Sequence, residues 1–170
     1  MKAFLHQAFT LARVSNLPTV WTNVLAAWAI NATASPTFKI MPEVLDLTFF
    51  DWWTFAYLAI GASLIYAGGC TLNDAFDQNF DQTHNPKRPL PSGSISSKAV
   101  WILGSLELFL GVILMVTLAG CEKTWVLALV ASVVFYDYIH KRWAGGILIM
   151  GACRFFLWIA TASAGGKTEL

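Results

Sequence analysis

Apolar runs of bilayer length recur along this chain, over about residues 17–34, 52–72, 99–119, 124–139 and 145–164. A helix that crosses the hydrocarbon core needs roughly 20 such residues. Composition agrees with the run lengths: 56% of residues are hydrophobic and only 12% charged, against about 25% charge in a soluble domain. The expected fold is therefore all-α, a polytopic transmembrane bundle of about five membrane-spanning helices, read as a single domain over 1–170.

The ends of the runs support that reading. Residues 1–16 mix Lys2, His6 and Arg13 with apolar Phe4, Leu5, Phe9 and Leu11, the pattern of an amphipathic lead-in lying at the interface. A cleaved leader is the rival reading, because Ala32-Thr33-Ala34 has small residues spaced like a cleavage site. The long charged lead-in, Asn23 and the two tryptophans of the first run argue against it. Trp52, Trp53 and Tyr57 open the second run as an interfacial aromatic belt would, and Gly61, Ala62, Ser63, Gly68 and Gly69 allow close helix contact within lipid.

Lys2, Arg13, Lys87, Arg88, Lys98, Lys141 and Arg142 fall on one side of the predicted spans, and Lys39, Lys123 and Lys167 on the other. The excess of positive residues places the N-terminus in the cytoplasm, and the bilayer is expected to be a plasma (inner) membrane. With a net charge of +1 and no basic stripe, nucleic acid is not a partner. Cys70, Cys121 and Cys153 show no metal-binding spacing and are read as free thiols among the helices.

Against this apolar background the stretch 72–81, Leu-Asn-Asp-Ala-Phe-Asp-Gln-Asn-Phe-Asp, stands apart: three of the ten acidic residues fall within it. Asp74, Asp77 and Asp81 are spaced i, i+3, i+7, within about a 60° arc of one helix face. Carboxylates so close repel unless a cation or several donors lie between them. A hard divalent cation such as Mg²⁺ takes oxygen ligands and bridges one or two carboxylates to substrate phosphates, while Lys87 and Arg88 nearby suit direct pairing with phosphate oxygens. The plain alternative is a solvated acidic helix end. Its position as the continuation of a membrane helix, followed directly by a basic, breaker-rich loop at 82–97, favours a diphosphate site. An EF-hand is excluded by the spacing and by the missing loop glycine.

Asn73-Asp74-x-x-Asp77-x-x-x-Asp81, with Arg88-Pro89-Leu90-Pro91-Ser92-Gly93 downstream, resembles the first aspartate motif of the UbiA superfamily of intramembrane prenyltransferases. The segment 13–19, Arg-Val-Ser-Asn-Leu-Pro-Thr, is similar to that family's first-helix segment, and Tyr136-Asp137-x-x-His140-Lys141-Arg142 to its polar loop after the fourth helix. The resemblance implies Mg²⁺-dependent transfer of a prenyl group from an isoprenyl diphosphate to an aromatic or other small acceptor, through an allylic carbocation. It implies that Asp74, Asp77 and Asp81 are the catalytic carboxylates and metal ligands, and that Asn73, Asn16, Arg88, Lys141 and Arg142 bind substrate. Metal charge on the leaving group is also the strongest aid to ionising a C–O bond on chemical grounds.

Family members carry a second aspartate-rich motif, whereas the acids after Asp81 are Glu107, Glu122, Asp137 and Glu169. The chain thus resembles the N-terminal half or slightly more of such an enzyme. Either it is a catalytically incomplete fragment or paralogue that binds a prenyl lipid or a membrane partner, or a second chain supplies the missing half. The pattern of a CDP-alcohol phosphotransferase is absent.

Two further charges lie inside predicted spans, where an ionisable residue is functional by default. Arg154 is taken as a substrate-binding candidate beside a structural ion pair, and Glu107 as a polar contact inside the bundle. Asp137 is placed to orient Lys141 at i, i+4, and His140 is read as a helix-end residue. Most of the tryptophans and phenylalanines are expected to face lipid or form belts, with stacking on an isoprenyl chain as the alternative.

Overall fold

Each apolar run forms a helix, and the helices end where the sequence supplies caps and breakers. The structure, a computed structural model, describes residues 2–34, 51–141, 143 and 145–165; the loop prolines and acids between 35 and 50, together with Arg142, Lys167 and Glu169, lie outside the described residues. The elements are α1 (Lys2–Leu11), α2 (Leu17–Ala34), α3 (Trp52–Phe76), α4 (Gln78–His84), α5 (Ser97–Ile113), α6 (Lys123–Ile139) and α7 (Gly146–Ala162). Among the described residues there is no strand. Two helical stretches, Trp52–Phe76 and Ser97–Leu118, are long and apolar enough to cross a membrane by length and composition, and Gly146–Ala162 is apolar but shorter.

Helix α3 starts at Asp51, whose carboxylate accepts hydrogen bonds from the backbone N–H groups of Trp53 and Thr54. The Thr54 hydroxyl donates to the same carboxylate, and this bond with the backbone donors holds the Asp51 carboxyl below its ordinary range. The group stabilises the helix start only when ionised.

Helix α3 is the centre of the bundle: α5, α2 and α6 pack against it, while α7 joins α6 to α2. Its closest neighbour is α5, and glycines explain why. A Cβ on Gly68 would lie 2.9 Å from the Gly104 carbonyl oxygen, and one on Gly111 would lie 2.8 Å from the Gly61 carbonyl oxygen. Small residues on both helices bring the backbones together, which is how helices gain packing energy in lipid. Val20, Val24, Leu58, Ile65, Leu108, Met115, Val126 and Ala160 fill the main core. A smaller core of Leu11, Ala75, Leu90, Ile95 and Val100 anchors α1 and the 85–96 loop against the end of α3.

Two departures from sequence expectation matter for the site. The run read as one span over 99–119 widens into a π-helical stretch at Leu114–Leu118, next to Gly61, whose added Cβ would meet Met115. The acidic stretch is not one continuous helix. Asp77 breaks it, with φ −85° and ψ 1°, so Asp74 lies on α3 and Asp81 on α4. The backbone bonds from Asp77 N–H to Asn73 and from Asp81 N–H to Asp77 persist across the break, so the carboxylates still converge.

Gly68→Ala and Gly111→Ala should each lower stability by about 1–3 kcal/mol through overpacking against backbone, seen as a lower melting temperature in detergent; an unchanged melting temperature would contradict the α3–α5 seam. Because folding lowers the Asp51 pKa, its capping contribution is present above the unfolded value of about 4 and lost as pH falls through the folded one. Asp51→Ala should therefore cost about 1 kcal/mol at neutral pH and much less at pH 3, as read by thermal melts at the two pH values.

Candidate functional site

At one end of the bundle, three segments deliver positive groups onto the acids of α3 and α4. Asp74, Asp77 and Asp81 are 6%, 7% and 1% exposed, so they are not a solvated helix end. Buried carboxylates require partners, and each has them. Arg88 reaches both Asp81, at 2.6 Å, and Asp74, at 3.2 Å. Lys141 lies 2.9 Å from Asp77 and 3.9 Å from Asp81, with its ammonium 3.5 Å above the Phe80 ring. The amide of Asn85 donates to Asp81 at 2.9 Å, so both Asp81 oxygens are engaged.

The third segment is the turn before α2. Arg13 adopts a left-handed backbone, φ 46° and ψ 48°, which a residue with a Cβ holds only when its surroundings demand it. Its guanidinium lies 3.3 Å from Asp74 and 3.4 Å from the Asn73 side-chain oxygen. Burial works against the charged form of Arg13, yet Cys70 and Asp74 beside it hold its pKa above the ordinary value.

Asn73, 8% exposed, also donates from its amide to Asp137 on α6 at 3.1 Å. Asp137 therefore pairs with Asn73, and Lys141 with Asp77; the i, i+4 orientation of Lys141 by Asp137 is replaced by contacts between helices. His140 sets its Nε2 3.4 Å from Asp77 and its Nδ1 3.1 Å from the Asp137 carbonyl oxygen. Asn16 donates to the Tyr66 hydroxyl at 3.2 Å, two turns below Asp74 on α3.

The structure thus brings together Asn73, Asp74, Asp77, Asp81, Arg88 and Lys141. Arg154 is not drawn into this cluster: it is exposed on α7 and has no ion pair or hydrogen bond among the described residues. Glu107 does make the expected contact inside the bundle, accepting from the Thr71 hydroxyl at 3.0 Å. Sequence reasoning did not single out Arg13 as a site residue, nor Asn85 or Tyr66. A lone arginine in a lead-in gives no local signal, since its partners are some 60 positions away.

The acid set supplies only oxygen donors, the chemistry of a hard cation. Among the described residues no group of three or more acidic, histidine or cysteine side chains is placed to hold a metal ion. Mg²⁺ needs only one or two protein carboxylates when phosphate oxygens complete its shell, so the donor set fits that ion in its substrate-bridging role. Two open hollows adjoin the cluster: one of about 480 Å³ is lined by Thr10 and 84–89, and one of about 420 Å³ by Arg13, Asn16 and the α1 residues His6, Phe9 and Thr10.

An all-helical apolar bundle with a buried acid–base cluster at one end defines the class: a helical membrane protein. The chain belongs to the UbiA prenyltransferase family, whose sequence pattern matches residues 46–169. It is similar to human mitochondrial 4-hydroxybenzoate polyprenyltransferase, 35% identical over 91 residues that make up 51% of this chain and 22% of that one. Its similarity to the digeranylgeranylglyceryl phosphate synthase of Sulfurisphaera tokodaii is 29% over 145 residues, 84% of this chain and 46% of that one. A solved structure concerned with digeranylgeranylglyceryl phosphate synthase in membranes superposes with a TM-score of 0.76 at 21% identity, over 95% of this chain and 53% of that chain, which shows the shared fold. The chain thus spans between 22% and 46% of the length of these two curated relatives.

Removing Arg88 leaves Asp81 buried without its closest cation. Breaking a buried pair from one side costs about 3–5 kcal/mol, reduced here because the Arg88 side chain is 37% exposed. Arg88→Gln should therefore destabilise the fold by about 1–3 kcal/mol, more than Lys87→Gln on the exposed loop; equal melting temperatures for the two variants would contradict the clamp.

Proposed function

We propose that this cluster binds the diphosphate of an isoprenyl diphosphate and that the chain takes part in transferring the prenyl group to an aromatic or other small acceptor within the membrane. The observation that carries the reading is the pairing of Arg88 and Lys141 with Asp81 and Asp77 at 2.6 and 2.9 Å. These cations sit beside oxygen ligands at the end of an apolar bundle, so they can exchange a carboxylate partner for a diphosphate oxygen with little movement. Family membership and the named relatives support the same chemistry.

In this reading Asp74 and Asp77 would hold Mg²⁺. Bound there, the ion supplies the positive charge that lowers the cost of breaking the allylic C–O bond. Asp81, expected from the sequence as a third catalytic and metal-binding carboxylate, has its two oxygens taken by Asn85 and Arg88; in this reading it keeps the 85–88 loop against the site and aims Arg88. Lys141, with Arg142 beside it in sequence, receives the departing diphosphate, and Asn73 is held by Arg13 and Asp137 to face it. Asn16, bonded to Tyr66, lines the hollow beside Arg13 and would contact the carbon chain.

The chain is read as one domain over 1–170 whose helices α2, α3, α5, α6 and α7 are the spans, as a multi-pass protein of a plasma (inner) membrane with its N-terminus and the cluster cytoplasmic. A second chain supplying further carboxylates belongs to the same reading. A second reading rests on a different observation: the acids are already matched by cations of their own chain, with no ligand needed to balance them. That favours a UbiA-like protein which binds prenyl lipid or a membrane partner without transfer.

Reconstituted protein with a radiolabelled isoprenyl diphosphate and a phenolic acceptor separates the two. Transfer that requires Mg²⁺, with Asp74→Ala and Asp77→Ala each about 10²–10³-fold slower, is the expected outcome. Binding without product would favour the second reading, and neither binding nor product would sink both.

A further inference from the structure

Phe80 is the one large apolar residue of α4, and among the described residues it belongs to neither apolar core. Its neighbours are a ring and a charge. The His84 imidazole, one helical turn on, stacks on the Phe80 ring with centroids 3.9 Å apart and planes inclined by 5°. The Lys141 ammonium lies 3.5 Å from the centroid of the same ring. Two groups at those distances cannot share one face of a ring without overlapping, so His84 covers one face and Lys141 the other. His84 is itself fixed, with its Nδ1 3.0 Å from the Phe80 carbonyl oxygen and 2.7 Å from the Thr83 hydroxyl.

The three cations of the cluster are held in different ways. Arg88 hydrogen-bonds to both Asp74 and Asp81, and Arg13 to Asn73 and Asp74. Lys141 has one short acidic contact among the described residues, 2.9 Å to Asp77, while Asp81 at 3.9 Å is past hydrogen-bond reach and gives its oxygens to Asn85 and Arg88. An ammonium on a flexible four-carbon stem is poorly fixed by one carboxylate. The face of an aromatic ring attracts a cation electrostatically yet carries no net charge. The ring can therefore locate the ammonium without neutralising it, whereas a carboxylate in its place would cancel the charge.

We propose that Phe80 is a positioning residue for Lys141: its ring, braced by His84 on the far face, keeps the ammonium beside Asp77 with charge left over for a phosphate oxygen. When a diphosphate binds, the ammonium stays over the ring and exchanges its Asp77 contact for the ligand. That use of Lys141 rests on the diphosphate reading of the cluster; the contact between ring and ammonium does not.

The test places phenylalanine with no, one, two or three ring fluorines at position 80 of the full chain in lipid nanodiscs, a series that drains the negative face of the ring and hardly alters its shape. Mg²⁺-dependent binding of inorganic pyrophosphate is measured for each. That probe has no hydrocarbon, so contact of the ring with a prenyl chain cannot contribute. The dissociation constant should rise in step with the number of fluorines, by about three- to tenfold in all, and Phe80→Trp should bind as well as wild type. In a Lys141→Gln background the series should be flat. Without ligand, the ring current of Phe80 should move the Lys141 ε-methylene protons upfield of the ordinary lysine position in the NMR spectrum. Binding indifferent to fluorination, or a Lys141 signal at the ordinary position, would overturn the proposal. If the wild-type chain binds no pyrophosphate, the diphosphate reading fails and the Lys141 signal alone decides whether the ring holds the ammonium.

Discussion

Three carboxylates at the end of a membrane helix can be buried only if cations meet them there, and much of the structure at that end of the bundle follows from that constraint. The cations come from three separate parts of the chain: Arg13 before α2, Arg88 in the loop after α4, and Lys141 after α6. Each ion pair ties its segment to the end of α3. The small core of Leu11, Leu90 and Ile95 beside Ala75 is the apolar counterpart of the same fastening. Removing one cation therefore disturbs a shared arrangement, and effects of neighbouring substitutions should not add.

The seam between α3 and α5 sets where this cluster can sit. Gly61, Gly68, Gly104 and Gly111 bring the two backbones close, and the hydrogen bond from Ser97 to Gln78 returns the head of α5 to α4. The 85–96 loop is thereby held over the acids, with Gly93 in the left-handed region at φ 73°. A buried ion-pair network is weak evidence for stability in itself. In the proposed function its value lies in poise: the groups that neutralise the acids are those that would greet a diphosphate.

Much of this was legible in the sequence because it depends on local patterns. The apolar runs became helices near their expected bounds, and the spacing of Asp74, Asp77 and Asp81 anticipated their convergence. What local spacing could not show was the break at Asp77, since a helix-compatible sequence does not reveal where contacts with distant segments interrupt the helix. Nor could it pair Arg13 with Asp74 or Asp137 with Asn73, because these contacts join distant segments and answer to burial. Arg154 is a different case. Position inside a span marked it as important, and in the structure it is exposed on α7 and joins no ion pair of the acids' cluster among the described residues.

The central claim is that the aspartates and their basic partners form a diphosphate site. Its most direct test is equilibrium binding of geranyl diphosphate to the purified chain across a range of Mg²⁺ concentrations, with inorganic pyrophosphate as competitor. The account predicts saturable binding that tightens with Mg²⁺, is displaced by pyrophosphate and is lost in Asp77→Asn. Binding that ignores both Mg²⁺ and pyrophosphate, or that survives intact in Asp77→Asn, would contradict it.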